Sequence, residues 1–247
     1  MKILMKILNE EFEIGRCIKD FHGEGWVNEI IIIDGGSTDY TVHEAKQFDK
    51  VKVYVHPYLD WFHAAEIAQA NIMMSYANEG EICFLVDADE RLSPELKRYL
   101  SEIDETGEMP HGADLVHIPR RTIEVLRHED SPYCIYGEDG WPIESHQTGQ
   151  FPDYQPRFIR RSYTMHWAHS PHRILVGHKK NYNLANLDAF ILHYEKDDIR
   201  KRHSIERRWL RPDATRKKLG LVQDMFESGA KPEYAEAADP NFWRDGK

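Results

Sequence analysis

The chain has 247 residues, of which 41% are hydrophobic and 30% charged, a balance that suits one α/β domain with a real core. With 32 basic against 42 acidic side chains the net charge is −10, so no global field draws the whole chain toward nucleic acid or an anionic membrane. Three cysteines without metal-type spacing, Cys17, Cys83 and Cys134, argue against a disulfide framework and fit a reducing cytoplasm, and no apolar run is long enough to span a bilayer.

The opening MKILMKILNEE lacks a signal-peptide core and cleavage site and reads as a buried strand over residues 3–8. Asn9 is placed to cap a helix whose apolar residues Ile14, Cys17, Ile18 and Phe21 fall on one face, with Gly23 and Gly25 ending it. Residues 29–33 form a second strand, β-branched and apolar throughout, as expected of a parallel strand covered on both faces. It stops at the turn Asp34-Gly35-Gly36, after which Ser37, Thr38 or Asp39 can cap a helix burying Val42, Ala45 and Phe48. Val51, Val53 and Val55 alternate with other residues in a third strand ended by Pro57. A helix is predicted over 62–76, then a fourth strand over 82–86 that ends at Asp87. Ser93 and Pro94 start a helix whose stripe is Leu96, Tyr99, Leu100 and Ile103.

This β-α-β-α-β-α-β-α order implies a doubly wound, mostly parallel sheet, with ligands at the carboxyl ends of its strands. The polar clusters at 9–11, 34–39 and 87–90 each fall just past a strand, so the acidic groups gather on one edge. Beyond Gly107 the pattern is irregular. Strands are expected at 115–118, 173–176 and 189–193, a long loop over the site at 131–156, a basic helix at 199–210 and a loose tail from 229. The expected division is one domain over 1–228, with a nucleotide-sugar-binding half (1–106) and an acceptor-side half (107–228), followed by an extension over 229–247.

The run FLVDADER puts Asp87 and Asp89 two apart at a strand end. Hard carboxylate oxygens on such a turn suit a divalent cation that also takes phosphate oxygens and water, and Glu90 can approach the same place. A solvated turn is the plain alternative. In IIIIDGGSTDYT, Asp34 can accept a hydrogen bond from a pyrimidine N–H, and Gly35 and Gly36 allow backbone close to a flat base. No GxGxxG fingerprint is present, which counts against hydride transfer.

Taken together, NEE (9–11), DGGSTD (34–39) and DADE (87–90) resemble the family 2 glycosyltransferases of the GT-A fold, and come nearest to bacterial and phage members such as those that glucosylate lipopolysaccharide core. YQPRFIRR (154–161) and ILHY (191–194) resemble two later segments of that group. The resemblance implies an inverting, single-displacement sugar transfer from a nucleotide-diphosphate donor, with a UDP-sugar favoured, to an acceptor hydroxyl, assisted by Mn²⁺ or Mg²⁺. By position it implies nucleotide contacts from Asn9, Glu10, Glu11, Asp34, Gly36, Asp39 and Asp87. Asp89 would hold the metal beside Asp87, and His172 or His193 would complete the shell. Two departures stand out. Gly35 replaces a second Asp of the turn, and Ala70 precedes Asn71 where the group often carries Arg, so that a cationic contact must come from elsewhere.

The proton acceptor is expected at Asp153, with Asp139 as the other candidate. His166, His169 and His172 lie three apart, but Pro171 breaks any helix there, which disfavours a zinc site. Tyr58, Trp61, Phe62, Trp141 and Trp167 are candidates for stacking on sugar, against the alternative of core packing. The basic residues between 200 and 218 are a solvated helix face, a clamp for diphosphate or anionic acceptor, or a contact with an anionic membrane surface. The expected acceptor is a glycan, a lipid-linked sugar or another hydroxyl compound. Two rival readings remain: a sugar-phosphate nucleotidyltransferase, and a non-catalytic nucleotide- or sugar-binding module of the same fold.

Overall fold

In the computed structural model, residues 1–57, 63–125, 145–168 and 174–195 are described. The strands are β1 (Lys2–Ile7), β2 (Glu29–Asp34), β3 (Val51–Val55), β4 (Ile82–Leu85), β5 (Glu90–Leu92), β6 (Leu115–Val125), β7 (Ser145–Arg160), β8 (His166–Ala168), β9 (Ile174–Val176), β10 (Asn181–Asn183) and β11 (Ile191–Glu195). The helices are α1 (Ile14–His22), α2 (Thr41–Ala45), α3 (His63–Ser75) and α4 (Pro94–Thr106). Among the described residues, nine strands make one sheet in the order β3-β2-β1-β4-β7-β6-β11-β5, with β10 beside β6, and β8 and β9 form a separate ribbon.

The first four strands pair in parallel, as the alternating pattern requires. β2 shows why an unbroken apolar run was needed. Ile30 and Ile32 enter the core beneath α1 and α4, while Ile31 and Ile33 enter the core beneath α3 and the β8–β9 ribbon. β3 is the sheet edge, and Val55 is accordingly exposed. α1 buries Ile14, Cys17, Ile18 and Phe21 as its periodicity predicted. Ser93 caps α4 by accepting from the Leu96 N–H at 3.2 Å, Pro94 follows in the first turn, and Gly107 ends the helix at φ 65°.

Several expectations need correction. Asn9 does not cap α1; it sits at φ 55° and its side chain turns to the loop after β2. α2 is one short turn that buries Thr41 and Ala45, with Val42 only half-buried. The segment expected as a loop over 131–156 contains, from Ser145 on, the first part of the 16-residue strand β7. β7 runs antiparallel to both β4 and β6, so the second half of the sheet is mixed. Prolines disguised it: Pro119 pairs with Tyr154, and Pro156 faces His117 where the register shifts. The expected helix at 199–210, the tail from 229, His169, His172, Asp139 and the aromatic residues Tyr58, Trp61, Phe62 and Trp141 lie outside the described residues.

Candidate active site

The turns after β1 and β2 are sewn into one platform. The Ser37 hydroxyl accepts from the Asn9 N–H at 2.9 Å, while the Asn9 side-chain oxygen accepts from the Thr38 N–H at 2.9 Å. Thr41 Oγ1 accepts from the Glu10 N–H at 2.6 Å, and Glu11 accepts from the Tyr40 N–H at 3.1 Å. Asp39 accepts from the Thr41 N–H at 3.0 Å. Thus the NEE and GSTD clusters, which lie about 28 residues apart in the chain, meet because β1 and β2 pair in register from Lys2↔Glu29 to Ile7↔Asp34.

Asp34 is buried beneath this platform and its two oxygens accept from the Gly36 and Ser37 N–H groups and from the Ser37 hydroxyl. Burial pushes its carboxyl up, and the Ser37 and Gly36 hydrogen bonds oppose that shift. Gly36 itself sits at φ +88° against Pro57, a conformation that favours glycine. The carboxylate is therefore committed to shaping the turn.

The acidic turn after β4 is held from two sides. Arg157 on β7 donates through Nη2 to Asp87 at 2.6 Å and to Glu90 at 2.7 Å, and Glu90 in turn accepts from the Asp87 N–H at 3.0 Å. Burial pushes Glu90 up while Arg157 works against it. Burial alone would lower the Arg157 guanidinium, but Glu90 and Asp87 more than offset this and hold it firmly charged. On the other side Arg91 donates to the carbonyls of Ala88 and Glu90 and forms a buried ion pair with Glu13 at 2.9 Å. The QPRF segment carried the signal for Arg157, but its partners could be identified only once β7 was known to lie against β4.

At Asp89, the second acid of the turn, His193 Nε2 approaches Oδ2 at 3.7 Å. β11 brings this about. It pairs with β5 so that His193 lies opposite Glu90, and the Tyr194 N–H donates to the Asp89 carbonyl at 2.9 Å. Among the described residues no group of three or more His, Cys, Asp or Glu side chains converges. A carboxylate and an imidazole facing each other fit two positions of a divalent cation whose remaining positions go to phosphate and water.

Asp153 lies on β7 and is partly exposed. Its Oδ2 accepts from Arg120 at 2.6 Å and its Oδ1 from Gln155 at 2.9 Å. His166 is exposed and meets the Thr164 carbonyl, and Trp167 is buried in the β8 wall.

A cavity of about 660 Å³ opens on the α3 side of the sheet and is lined by Lys6, Asp87, His117, Arg120 and Arg157 together with apolar groups from α3 and β9. Ala70 of α3 lines it as well. Lys6 is the one charged residue within the otherwise apolar stretch Ile3–Leu8.

Residues 2–130, just over half of the chain, match the profile of the family described as Glycosyl transferase family 2. The chain belongs to that family. The ordered trio of motifs and the mixed sheet that carries them are those of its GT-A fold. Among solved structures, it is similar to S. aureus TarS (residues 1–349), at 21% identity over 56% of this chain and 39% of that one, with a TM-score of 0.38. The same figures hold for that protein in complex with UDP. It is also similar to glucosyl-3-phosphoglycerate synthase from Mycobacterium tuberculosis in complex with Mn²⁺, UDP and phosphoglyceric acid, at 23% identity over 49% of this chain and 42% of that one, with a TM-score of 0.36. The family 2 chain thus spans about two fifths of the length of these structures. Among the described residues no helix is long and apolar enough to cross a membrane.

Proposed function

We propose that this family 2 chain transfers a sugar from a nucleotide-diphosphate donor, a UDP-sugar in the first instance, to an acceptor hydroxyl with inversion and with the help of Mn²⁺ or Mg²⁺. The observation that carries the proposal is the approach of His193 to Asp89 at 3.7 Å, on a turn whose other two carboxylates, Asp87 and Glu90, are both held by Arg157. Arg157 holds two of the acids, and the third, Asp89, lies beside an imidazole, an arrangement that supports a cation site bridging to diphosphate. Bound there, a divalent ion would screen the diphosphate and stabilise the charge that grows on it as the sugar leaves.

In this reading the nucleoside lies against the stitched platform of Asn9, Glu10, Glu11, Gly36 and Asp39, with Asp34 acting from beneath as the residue that shapes it. Asp87 faces the ribose. Lys6 supplies the cation that Ala70 cannot. Asp153 is the proposed proton acceptor, oriented by Arg120 and Gln155, with Asp139 as the alternative and His172 as a further candidate metal ligand. The basic residues between 200 and 218 are proposed to meet an anionic acceptor or surface.

Calorimetric titration of UDP, GDP and CDP, each with and without Mn²⁺, tests this. Tight binding of one nucleotide only when metal is present is expected. Metal-independent binding, or binding of none of the three, would overturn the donor site as described, and pyrophosphate release from a nucleoside triphosphate would favour a nucleotidyltransferase.

A further inference from the structure

The arginines of this chain are satisfied from within, with one exception. Among those described, Arg91, Arg98, Arg120 and Arg157 pair with carboxylates, and Arg16, Arg160 and Arg161 donate to backbone carbonyls. Arg121 does neither. Among the described residues it has no carboxylate partner and donates no hydrogen bond, and its Nε is buried without a partner. Buried N–H groups are nearly always paired, and a charged one left alone is costlier than a neutral one.

The guanidinium is nevertheless held in place. Its carbon lies 4.5 Å from the ring centroid of Phe151 and 4.6 Å from that of Phe190. The two rings meet edge to face, with centroids 6.3 Å apart and planes at 83°, so they form an apolar corner around the charge. An irregularity in the sheet builds this corner. The pairing of β6 with β7 passes from Arg120↔Asp153 to Thr122↔Thr148, which leaves Arg121 without a partner on β7 and puts Phe151 in the extra stretch of that strand. Phe190 immediately precedes β11, where Leu192 lies opposite Arg121.

The same row of the sheet holds a completed version of this arrangement. Leu192 pairs on its other side with Arg91, whose guanidinium lies 5.2 Å from the Tyr194 ring centroid and whose charge is met by Glu13 at 2.9 Å. At Arg121 the aromatic rings are present, and no described carboxylate takes the part of Glu13. Rings attract the charge, but they offer no acceptor in the plane of the N–H groups. The geometry of that plane selects the partner: a guanidinium fork matches two oxygens of a carboxylate or a phosphate through parallel N–H bonds. A neutral acceptor would meet an N–H and leave the charge, and an apolar collar strengthens a charge-assisted bond.

We propose that Arg121 binds a carboxylate or phosphate group from outside the chain, gripped through Nε–H and a terminal N–H, with Phe151 and Phe190 fixing the guanidinium. The site needs neither nucleotide nor divalent metal, so it stands or falls apart from the sugar-transfer reading.

The test is saturation-transfer NMR on the full chain with acetate and methyl phosphate, each carrying a methyl reporter, at an ionic strength held constant with sodium chloride. Acetamide serves as the uncharged analogue of acetate. At least one of the two anions is expected to bind, and acetamide is not. Anion affinity is expected to fall about tenfold in Arg121→Met, which keeps an unbranched side chain and removes the charge and the fork. Arg121→Lys, which keeps the charge and loses the fork, is expected to fall between the two. The anion that binds should also raise the melting temperature of the parent and not that of Arg121→Met. Circular dichroism checks that the variants are folded; should Arg121→Met fail, Arg121→Lys carries the comparison. Binding of acetate alone assigns the site to carboxylates, binding of methyl phosphate alone assigns it to phosphates, and binding of both assigns it to either group. Absence of saturation transfer from both anions, acetamide binding as well as acetate, equal anion affinity in parent and variant, or displacement of the anion by UDP with Mn²⁺ would overturn the proposal. UDP titration in the same samples separates the two readings: nucleotide binding without anion binding sinks the Arg121 site alone, and anion binding without nucleotide binding sinks the donor site alone.

Discussion

The Nη2 atom of Arg157 lies 2.7 Å from Glu90 Oε1, and the two side chains are 9% and 0% exposed. A second contact of 2.6 Å from the same nitrogen to Asp87 makes Arg157 the keystone of the acidic turn. Removing one member of a buried ion pair costs about 3–5 kcal/mol, because it leaves an uncompensated charge in a poorly hydrated place. Arg157→Met should therefore lower the melting temperature by roughly 10 °C and loosen the carboxylates that frame the proposed cation site. Thermal unfolding followed by circular dichroism checks this, and a variant as stable as the parent would show that the pair does not hold the turn.

How far the sequence could be read is visible in this same constellation. Asp87, Asp89 and Glu90 were legible because a short apolar strand delivers them to a turn, and Asn9 and Ser37 because each follows a strand of the same parallel pair. Arg157 was legible only as part of a basic segment, since its meeting with Asp87 bridges 70 residues and depends on β7 lying antiparallel against β4. That strand contains Pro152 and Pro156, and its pairing with β6 shifts register twice, so neither period-2 alternation nor turn signals marked it as a strand. Asp34 was identified by type, but its burial under the turn, with its oxygens occupied by Gly36 and Ser37, depends on a backbone conformation that residue identity alone does not specify.

Asp89 Oδ2 lies 3.7 Å from His193 Nε2. Asp89→Ala should abolish metal-dependent turnover and weaken the metal-dependent part of nucleotide binding by about a hundredfold, roughly 2.7 kcal/mol, with little change in stability. His193→Ala should act in the same direction and less strongly. Calorimetry with and without Mn²⁺ measures both, and unchanged metal dependence in Asp89→Ala would remove that residue from the cation site.

Asn71 joins α3 to the β8–β9 ribbon through two buried hydrogen bonds. Its Nδ2 donates to the Trp167 carbonyl at 3.0 Å and its Oδ1 accepts from the Trp167 N–H at 2.7 Å. Asn71→Leu would leave both backbone groups of Trp167 unpaired, at about 1–3 kcal/mol each. The expected outcome is a loss of several kcal/mol in urea unfolding together with faster amide exchange at Trp167. Parent-like exchange at that amide would mean that the ribbon is held by its apolar contacts alone.

Burial holds His56 below the usual imidazole range, and burial together with His178 does the same for His117. The sign follows from linkage. The unfolded chain takes up these protons near the ordinary value of 6.5, whereas the folded chain resists them to lower pH. Their stabilising contribution is thus complete above pH 6.5 and is lost as the pH falls toward the depressed folded values. The melting temperature is expected to decline between about pH 6.5 and 5, before the ordinary carboxylates titrate, and to decline less steeply in His117→Asn. A flat profile across that window would contradict the burial of the two imidazoles in neutral form.

The oxygens of Asp153 are engaged, Oδ2 with Arg120 and Oδ1 with Gln155, while the side chain remains 38% exposed. An oriented carboxylate that still reaches solvent can receive a proton from an incoming hydroxyl, and its amide cannot. Asp153→Asn should therefore bind nucleotide and metal as the parent does while losing transfer by about 10²–10⁴-fold, the usual span for a general base. Single-turnover transfer from a labelled nucleotide-sugar, measured beside calorimetry of the same variant, separates the two effects. Full transfer by Asp153→Asn would reduce Asp153 to a partner of Arg120 across β6 and β7 and would move the search for the proton acceptor to Asp139.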